Sequence, residues 1–227
     1  MFELLLDVDV LIKLAAYDLL EAIAHPGCAQ GCGGETGMVA ASRYVARTQL
    51  RRKATDPSAA LGRLDAYCAK VAILEPSRVE LELAAELEDD AAKLGVDLDV
   101  GESQLCAIAL NRGRPLLLTG DKRAIKAAEE LTHEHKALTA LRGRLACLEQ
   151  AMLLAATRLG SLTVRARVLR ERRIDMAVDI CFQVTNPAVD GAFWPVGLSS
   201  YINDLRMIAP TMLSNGDTLN VGTASVS

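Results

Sequence analysis

Three acidic residues lie at sequence positions where a catalytic site is expected. Asp7 follows a short apolar run at residues 2–6, and Asp121 follows another at residues 115–119. Glu102 opens a helical pattern between them. Clustered carboxylates repel one another unless a cation neutralises them, and oxygen-only sites suit Mg²⁺ or Mn²⁺. Because such ions can generate a hydroxide and stabilise a phosphodiester displacement, the pattern predicts metal-dependent hydrolysis.

Each of these acids also has a purely structural interpretation. Asp7 or Asp121 could cap the helix that follows it, and Glu102 could be the partner of Asp99 in a capping box. Strand ends and helix starts of a parallel sheet converge at one edge, where ligands bind. Three acids in register at that edge therefore favour a shared site.

The elements that would position these acids alternate between strands and helices. Strands are predicted at residues 2–6, 71–74 and 115–119, and helices at 10–24, 38–53, 57 onward, 77–95, 99–112 and 122 onward. Residues 27–37 contain five glycines and are predicted to form a loop. This alternation predicts an α/β domain at residues 1–131, with a mainly parallel sheet flanked by helices.

Residues 132–227 are predicted to form a mainly helical C-terminal extension. Residues 136–159 are rich in Leu and Ala at helical spacing. Residues 161–182 are ambiguous, because Val164, Ala166 and Val168 alternate like a strand whereas the sequence from Arg173 onward fits a helix. Residues 215–227 are expected to be a loose tail.

Two stretches resemble the PIN-domain nuclease family over roughly residues 1–131. LLLDVDVLIKL is similar to the family's opening, in which a strand ends in Asp and enters a helix. GESQLCAIAL, followed by PLLLTGDKRAIKAA, is similar to its second half. The resemblance implies a metal-dependent endoribonuclease with Asp7, Glu102 and Asp121 as catalytic, metal-binding acids. It also places Asp9 in the metal site, where the family often has Asn or Asp.

One feature departs from this family. PIN domains normally carry another acid, often Glu, within an early helix, and the predicted helix at 38–53 has none. Between Glu21 and Asp56 the only acid is Glu35, which could serve as a metal ligand if the glycine-rich loop folds back. Many relatives are toxins paired with an antitoxin protein, and others process RNA, so both roles are implied.

Basic residues near the acids suit an RNA substrate. Lys122 and Arg123 follow Asp121 directly and, with Thr119, could meet a phosphate. Arg43, Arg47, Arg51 and Arg52 share one face of a predicted helix, and residues 158–173 hold six arginines against one acid. Such groups would neutralise an RNA backbone without reading its sequence, although each run could also be a solvated helix face.

Two other functions remain open at the level of sequence. Asp7 and Asp9 resemble the first motif of haloacid-dehalogenase-type phosphatases, in which the first Asp is the nucleophile and the second a general acid or base. An immediate helix after Asp9 and the lack of a clear later acidic motif count against that interpretation. The third possibility is a degenerate PIN-like module that binds RNA or protein without catalysis.

Composition limits the class of protein. The chain has 227 residues and a net charge of −4, which excludes a wholly basic nucleic-acid coat protein. No signal peptide and no apolar run near the roughly 20 residues of a membrane span are visible, so we expect a cytoplasmic protein without membrane contact.

The six cysteines are expected to be reduced core thiols, and a zinc site at His25, Cys28 and Cys32 is the less favoured alternative. The extension could mediate homo-oligomer formation.

Overall fold

Five parallel strands form the centre of the molecule. The structure is a computed structural model that describes residues 2–23, 35–113, 115–183 and 194–215. The strands are β1 (Phe2–Leu6), β2 (Glu35–Val39), β3 (Ala72–Leu74), β4 (Leu116–Thr119) and β5 (Leu145–Cys147), in the order β3-β2-β1-β4-β5. All four neighbouring pairs are parallel, which confirms the α/β fold with a parallel sheet.

Helices connect these strands and cover both faces of the sheet. The first seven are α1 (Val8–Ala16), α2 (Leu20–Ile23), α3 (Ala40–Lys53), α4 (Pro57–Cys68), α5 (Arg78–Leu94), α6 (Val100–Asn111) and α7 (Lys122–Leu131). A 3₁₀ helix (Lys136–Leu141) precedes β5, and α8 (Leu148–Leu159), α9 (Ser161–Arg170), α10 (Met176–Cys181) and α11 (Trp194–Ile208) follow it. The C-terminal part is thus mainly helical, as expected.

The strand order creates a crevice at the centre of the sheet. From β1 the chain builds outward through β2 and β3 on one side, then crosses to β4 and β5 on the other. The order therefore reverses between β1 and β4, and open α/β sheets bind ligands at the carboxyl ends of strands at such a reversal. Asp7 follows β1 and Asp121 follows β4, so both lie at this position.

Alternate side chains of the strands enter two hydrophobic cores. Leu6 packs with residues of α1, α3, α4, α8, α9 and α10, whereas Leu5 packs with residues of α5, α6, α7 and α11. Successive residues of a strand point to opposite faces, so each central strand contributes to both cores. Strands buried on both faces read as continuous apolar runs, which is why β1 and β4 were recognisable in the sequence.

Helix starts followed the capping signals of the sequence. Ser77 and Glu80 form the predicted capping box of α5, and Gly95 ends that helix with a left-handed φ of +68°. Asp56 caps α4 with Pro57 in its first turn, as expected from the Asp-Pro pair. These signals are hydrogen-bonding patterns between residues close in sequence, which is why the sequence alone could predict them.

The N-terminal half differs from the prediction at two places. The helix predicted over 10–24 is two helices, because the chain turns at Asp18, whose φ is +58°. The predicted loop and the predicted helix at 38–53 overlap β2, so α3 begins at Ala40. Gly37 lies within β2, and a Cβ there would come within 2.8 Å of Leu74 Cδ1. The glycine therefore leaves room for the Leu74 side chain, although the glycine-rich composition of the segment suggested a loop.

The prediction of one long helix over 136–159 is also wrong. The segment contains the 3₁₀ helix, strand β5 and α8. β5 has only three residues, and Leu145, Ala146 and Cys147 are all buried. So short an apolar run cannot be told from a buried helix by periodicity. The sheet and both cores therefore continue beyond residue 131. The ambiguous segment is helical, forming α9 and α10.

Among the described residues, none of the helices is both long and apolar enough to cross a membrane. Cys68, Cys106, Cys147 and Cys181 are buried free thiols, in agreement with the prediction for core cysteines. His25, Cys28 and Cys32, the alternative zinc ligands, lie outside the described residues, as does the tail from residue 216 onward.

Candidate functional site

Asp7 is a buried carboxylate at the junction of β1 and α1. Its side chain is the N-cap of α1 and accepts a hydrogen bond from the backbone N–H of Val8 at 2.6 Å. Its second oxygen accepts a hydrogen bond from Thr119 Oγ1 at 2.9 Å, across the crevice. Burial raises the pKa of Asp7 to about 6, and the charge of Asp9 adds to this, whereas the Thr119 hydroxyl and the Val8 amide oppose it.

Glu102 lies in the first turn of α6 and faces Asp7. It forms the capping box with Asp99, in which Glu102 Oε2 accepts from the Asp99 amide at 3.0 Å. Asp7, Glu102 and Thr119 nevertheless line one small pocket, walled by Cys106 and by Leu and Ala side chains. Burial raises the pKa of Glu102 to about 8, and the charges of Asp99, Asp121 and Asp7 contribute. Glu102 is therefore both a helix cap and a member of the acidic group.

Asp121 is the third of the predicted catalytic acids, and its charge is neutralised by the neighbouring Arg123. It caps α7 by accepting from the Arg123 amide at 2.8 Å, and the Arg123 guanidinium lies 2.6 Å from its second oxygen. Burial favours a higher pKa for Asp121, but the bonds from Arg123 outweigh it and leave the pKa below its usual value. The Asp121 amide also donates to Thr119 Oγ1 at 3.1 Å, which links Asp121 to Asp7 through one hydroxyl.

Asp9 lies beside the backbone of the turn between Thr119 and Asp121. A Cβ at Gly120 would collide with the Asp9 carboxylate, so any larger residue there would require Asp9 to move. Lys13 contacts Asp9 at 2.5 Å and Asp175, the N-cap of α10, at 2.6 Å. We call Asp7, Asp9, Glu102 and Asp121 the acidic edge. Sequence reasoning did not assign Lys13 or Asp175 to it, although the spacing of Asp9 and Lys13 is that of a helical ion pair.

Lys122 is paired with a further buried acid. Its ammonium lies 2.5 Å from Glu149 Oε1 and 4.1 Å from the centre of the Tyr201 ring. Glu149 is 3% exposed, and its other oxygen has no hydrogen-bond partner among the described residues. Glu149 follows β5, so it went unnoticed because its strand was taken for part of a helix.

Three residues predicted for the site lie elsewhere. Glu35 begins β2 opposite Phe2, at the amino ends of the strands, whereas Asp7 lies at the carboxyl ends. It therefore does not replace the acid missing from the early helix. Arg43 and Arg47 of α3 both approach Asp65 of α4, Arg43 at 4.0 Å and Arg47 in direct contact, so they join two helices.

The donors of the acidic edge suit Mg²⁺ or Mn²⁺ in kind, but their present arrangement does not. Both oxygens of Asp7 accept hydrogen bonds, and Asp121 is paired with Arg123. In the part of the chain that the structure describes, no three His, Cys, Asp or Glu side chains are grouped so that they could hold a metal ion. The acidic edge thus has the carboxylate oxygens that these ions prefer, but the positive charge beside Asp121 is that of the Arg123 guanidinium.

The comparisons with known proteins identify no relative of this chain. It matches no protein-family model, and the searches of curated proteins and of solved structures find no match either.

Proposed function

We propose that this chain is an endoribonuclease that hydrolyses RNA phosphodiester bonds with the help of Mg²⁺ or Mn²⁺. The observation that carries the proposal is that Asp7 and Glu102 lie beside one small, apolar-walled pocket at the reversal of strand order. The Thr119 hydroxyl donates to Asp7 and accepts from the backbone amide of Asp121, so Asp121 begins its helix at the same place. The elevated pKa of Glu102 reflects burial and the repulsion of Asp99, Asp121 and Asp7. A divalent cation would relieve that repulsion, and no basic side chain lines the Asp7 pocket among the described residues to do so.

In this proposal Asp7 and Glu102 are the principal ion-binding groups, and Asp121 joins them when Arg123 turns to a substrate phosphate. The ion would supply a hydroxide nucleophile and neutralise charge on the phosphate. Arg123 suits this exchange because its side chain is 70% exposed and forms forked bonds with oxyanions. Asp9 and Lys13 fix the turn at Gly120, which holds Thr119 and Asp121 in place.

The test is cleavage of a short single-stranded RNA with Mg²⁺ or Mn²⁺, with EDTA as the metal-free arm. Asp7→Asn should lower the rate by at least about 100-fold, since even groups that only orient metal ligands contribute about 10- to 100-fold. Asp204→Asn is the matched control, because Asp204 is exposed on α11. Cleavage that persists in EDTA or in Asp7→Asn would contradict the proposal.

A catalytically degenerate RNA-binding module is the second candidate. It is favoured by the pairing of Asp121 with Arg123 and by the absence of an acid on α3 among its described residues. Such a module would bind the RNA without cleaving it. A phosphatase using Asp7 and Asp9 would instead release phosphate from a small monoester, but α1 begins directly at Val8 and leaves no room for a flap after the first Asp.

The biological setting belongs to the same proposal. We place the protein in the cytoplasm, which the buried free thiols support because they suit a reducing compartment. A paired antitoxin protein or a second copy of the chain is the proposed protein partner. Size-exclusion chromatography with light scattering would measure self-association directly.

A further inference from the structure

A buried acid joins the ends of two helices that are far apart in sequence. Glu171, 4% exposed, caps the end of α9. Its carboxylate accepts hydrogen bonds from the backbone amides of Thr55 at 2.6 Å and Asp56 at 3.2 Å, in the turn between α3 and α4. The C-terminal end of α3 therefore lies against the C-terminal end of α9.

Both ends carry exposed cations within a few residues of this junction. We call them the α3–α9 basic surface, and they are Arg51, Arg52, Lys53, Arg170, Arg172 and Arg173. Residues 51–53 end two residues before Thr55, and Arg170, Arg172 and Arg173 lie within two residues of Glu171. Since consecutive Cα atoms are about 3.8 Å apart, the bond between Glu171 and Thr55 brings these two groups of three cations close together. Arg172 lies 3.5 Å from Asp179, and the other five have no ion-pair partner among the residues described.

Other arginines of the same segments have structural roles. Arg47 contacts Asp65, Arg165 donates to the carbonyl oxygen of Phe182 at 3.1 Å, and Arg167 contacts Asp18. The six residues of the basic surface are thus a subset that the sequence could not distinguish. The one acid among residues 158–174 is Glu171, which is turned inward to the backbone. The acids nearest the surface are Asp56, which is exposed and caps α4, Asp175, which pairs with Lys13, and Asp179, which lies by Arg172. The six cations outnumber these acids, so the surface has an excess of positive charge on a chain whose net charge is −4.

The basic surface borders the acidic edge. Asp175 is two residues beyond Arg173, and it contacts Lys13 at 2.6 Å. Lys13 in turn contacts Asp9 of the acidic edge at 2.5 Å. Two ion pairs through Lys13 therefore connect the end of the basic surface at Arg173 to Asp9 of the acidic edge.

We propose that the α3–α9 basic surface binds the sugar–phosphate backbone of single-stranded RNA; the inference rests on the proposed function and extends it to the path of the substrate. An aromatic residue favours RNA over an acidic protein as the occupant. Tyr44 is 70% exposed and lies two helical turns before Arg51, on the same face of α3. Exposed aromatics beside cations are where unpaired bases stack.

The experiment measures RNA binding by fluorescence anisotropy, in EDTA and at salt concentrations between about 50 and 200 mM. Arg51→Glu with Arg52→Glu, and separately Arg170→Glu with Arg173→Glu, should each weaken binding of a labelled single-stranded RNA about tenfold or more. The slope of log affinity against log salt should decrease by about 0.7 for each phosphate that the variant no longer neutralises. Tyr44→Ala should weaken binding about fivefold or more with the slope unchanged, because stacking releases no counterions.

Arg142→Glu with Arg144→Glu is the matched control, since it changes net charge equally at exposed positions outside this surface. The proposal is overturned if either test pair weakens binding no more than this control, or if the native chain binds an acidic protein but no RNA. Because EDTA prevents metal-dependent cleavage, binding without any later cleavage would refute only the nuclease. Cleavage with an unchanged KM in both test pairs would refute only the basic surface.

Glu171→Gln separates geometry from total charge. The substitution removes one negative charge, so an effect of net charge alone would strengthen RNA binding. Loss of one junction hydrogen bond should instead weaken binding severalfold while the six cations remain. Tighter binding than the native chain would overturn the role of the junction. If this variant fails to fold, the surface pairs still decide the proposal.

Discussion

At the scale of single residues, the acidic edge is a balance between burial and hydrogen bonding. Asp7, with a pKa of about 6, is mostly ionised at neutral pH, whereas Glu102, with a pKa of about 8, is mostly protonated. The proton on Glu102 reduces its repulsion with the neighbouring carboxylates of Asp99, Asp121 and Asp7. A cation that binds there must displace this proton, so metal affinity should rise with pH.

Substitution of Thr119 tests this balance in the metal-free chain. The Thr119 hydroxyl donates to ionised Asp7 and so lowers its pKa. In Thr119→Val the pKa of Asp7 should rise above its present value of about 6. A hydrogen bond to a charged group contributes about 1.5–3 kcal/mol, which corresponds to roughly one to two pH units. Carboxyl ¹³C NMR titration measures this pKa directly.

Thr132→Val is the control for this titration. Thr132 is also buried, but its hydroxyl donates to the carbonyl oxygen of Glu129 and not to Asp7. Its substitution should leave the Asp7 titration in place. An Asp7 midpoint that is unchanged or lower in Thr119→Val would show that the hydroxyl does not stabilise the carboxylate.

At the scale of helices and strands, local chemistry separates what the sequence could predict from what it could not. The capping boxes of α5 and α6 are fixed by residues three apart, so they were visible in the sequence. β2 and β5 depend on pairing with distant strands, and their five and three residues carry no periodicity of their own. In the prediction, glycine content assigned most of β2 to a loop, and helical composition assigned β5 to a helix.

The same difference between local signals and long-range pairing explains which residues of the site could be predicted. Asp7, Glu102 and Asp121 stand beside strong strand and helix signals, so their shared position was predictable. Glu149 reaches its position through β5, which was not recognised, whereas the helix that Asp175 caps was one of the two alternatives for an ambiguous segment. The missing signal for Glu149 was the strand that ends two residues before it, because an acid at that place would otherwise have been added to the group.

The bond between α5 and α6 gives a prediction that belongs to these elements. Arg112, at the end of α6, donates to both oxygens of Glu80 at 2.7 and 2.6 Å, and Glu80 is 2% exposed. Arg112→Met leaves this buried carboxylate without its charged partner. The free energy of unfolding at pH 7 should fall by about 2 kcal/mol, as measured by urea denaturation.

The loss should depend on pH in a defined direction. The hydrogen bonds from Arg112 lower the pKa of Glu80 below its ordinary value of 4.5. The stabilisation is therefore complete above that value and disappears as the pH falls through the lowered pKa. Arg78→Met is the control, because its pair with Glu82 is exposed and should change stability by less than about 0.5 kcal/mol. An equal loss in both variants, or one that grows in acid, would contradict this account.

At the scale of the whole molecule, the residues beyond 131 are part of the scaffold of the acidic edge. Leu145 of β5 lines the pocket that contains Asp7 and Glu102. Met152, Phe182 and Trp194 are buried in the same core as Leu6 of β1. The C-terminal residues therefore hold in place the strand from which Asp7 projects.

Truncation after residue 131 tests this dependence. The fragment would lose β5, which leaves β4 with an unpaired edge, and would expose the apolar side chains that α8–α11 cover. Each large core side chain contributes about 1.5–3 kcal/mol, and whole domains are stable by only about 5–15 kcal/mol. Fragment 1–131 should therefore show no cooperative thermal transition by circular dichroism and poorly dispersed amide NMR signals, whereas the full chain should show both a cooperative transition and well-dispersed signals. If the fragment melts cooperatively within a few degrees of the full chain, residues 1–131 are a domain that folds on its own, and the C-terminal residues are not needed for its stability.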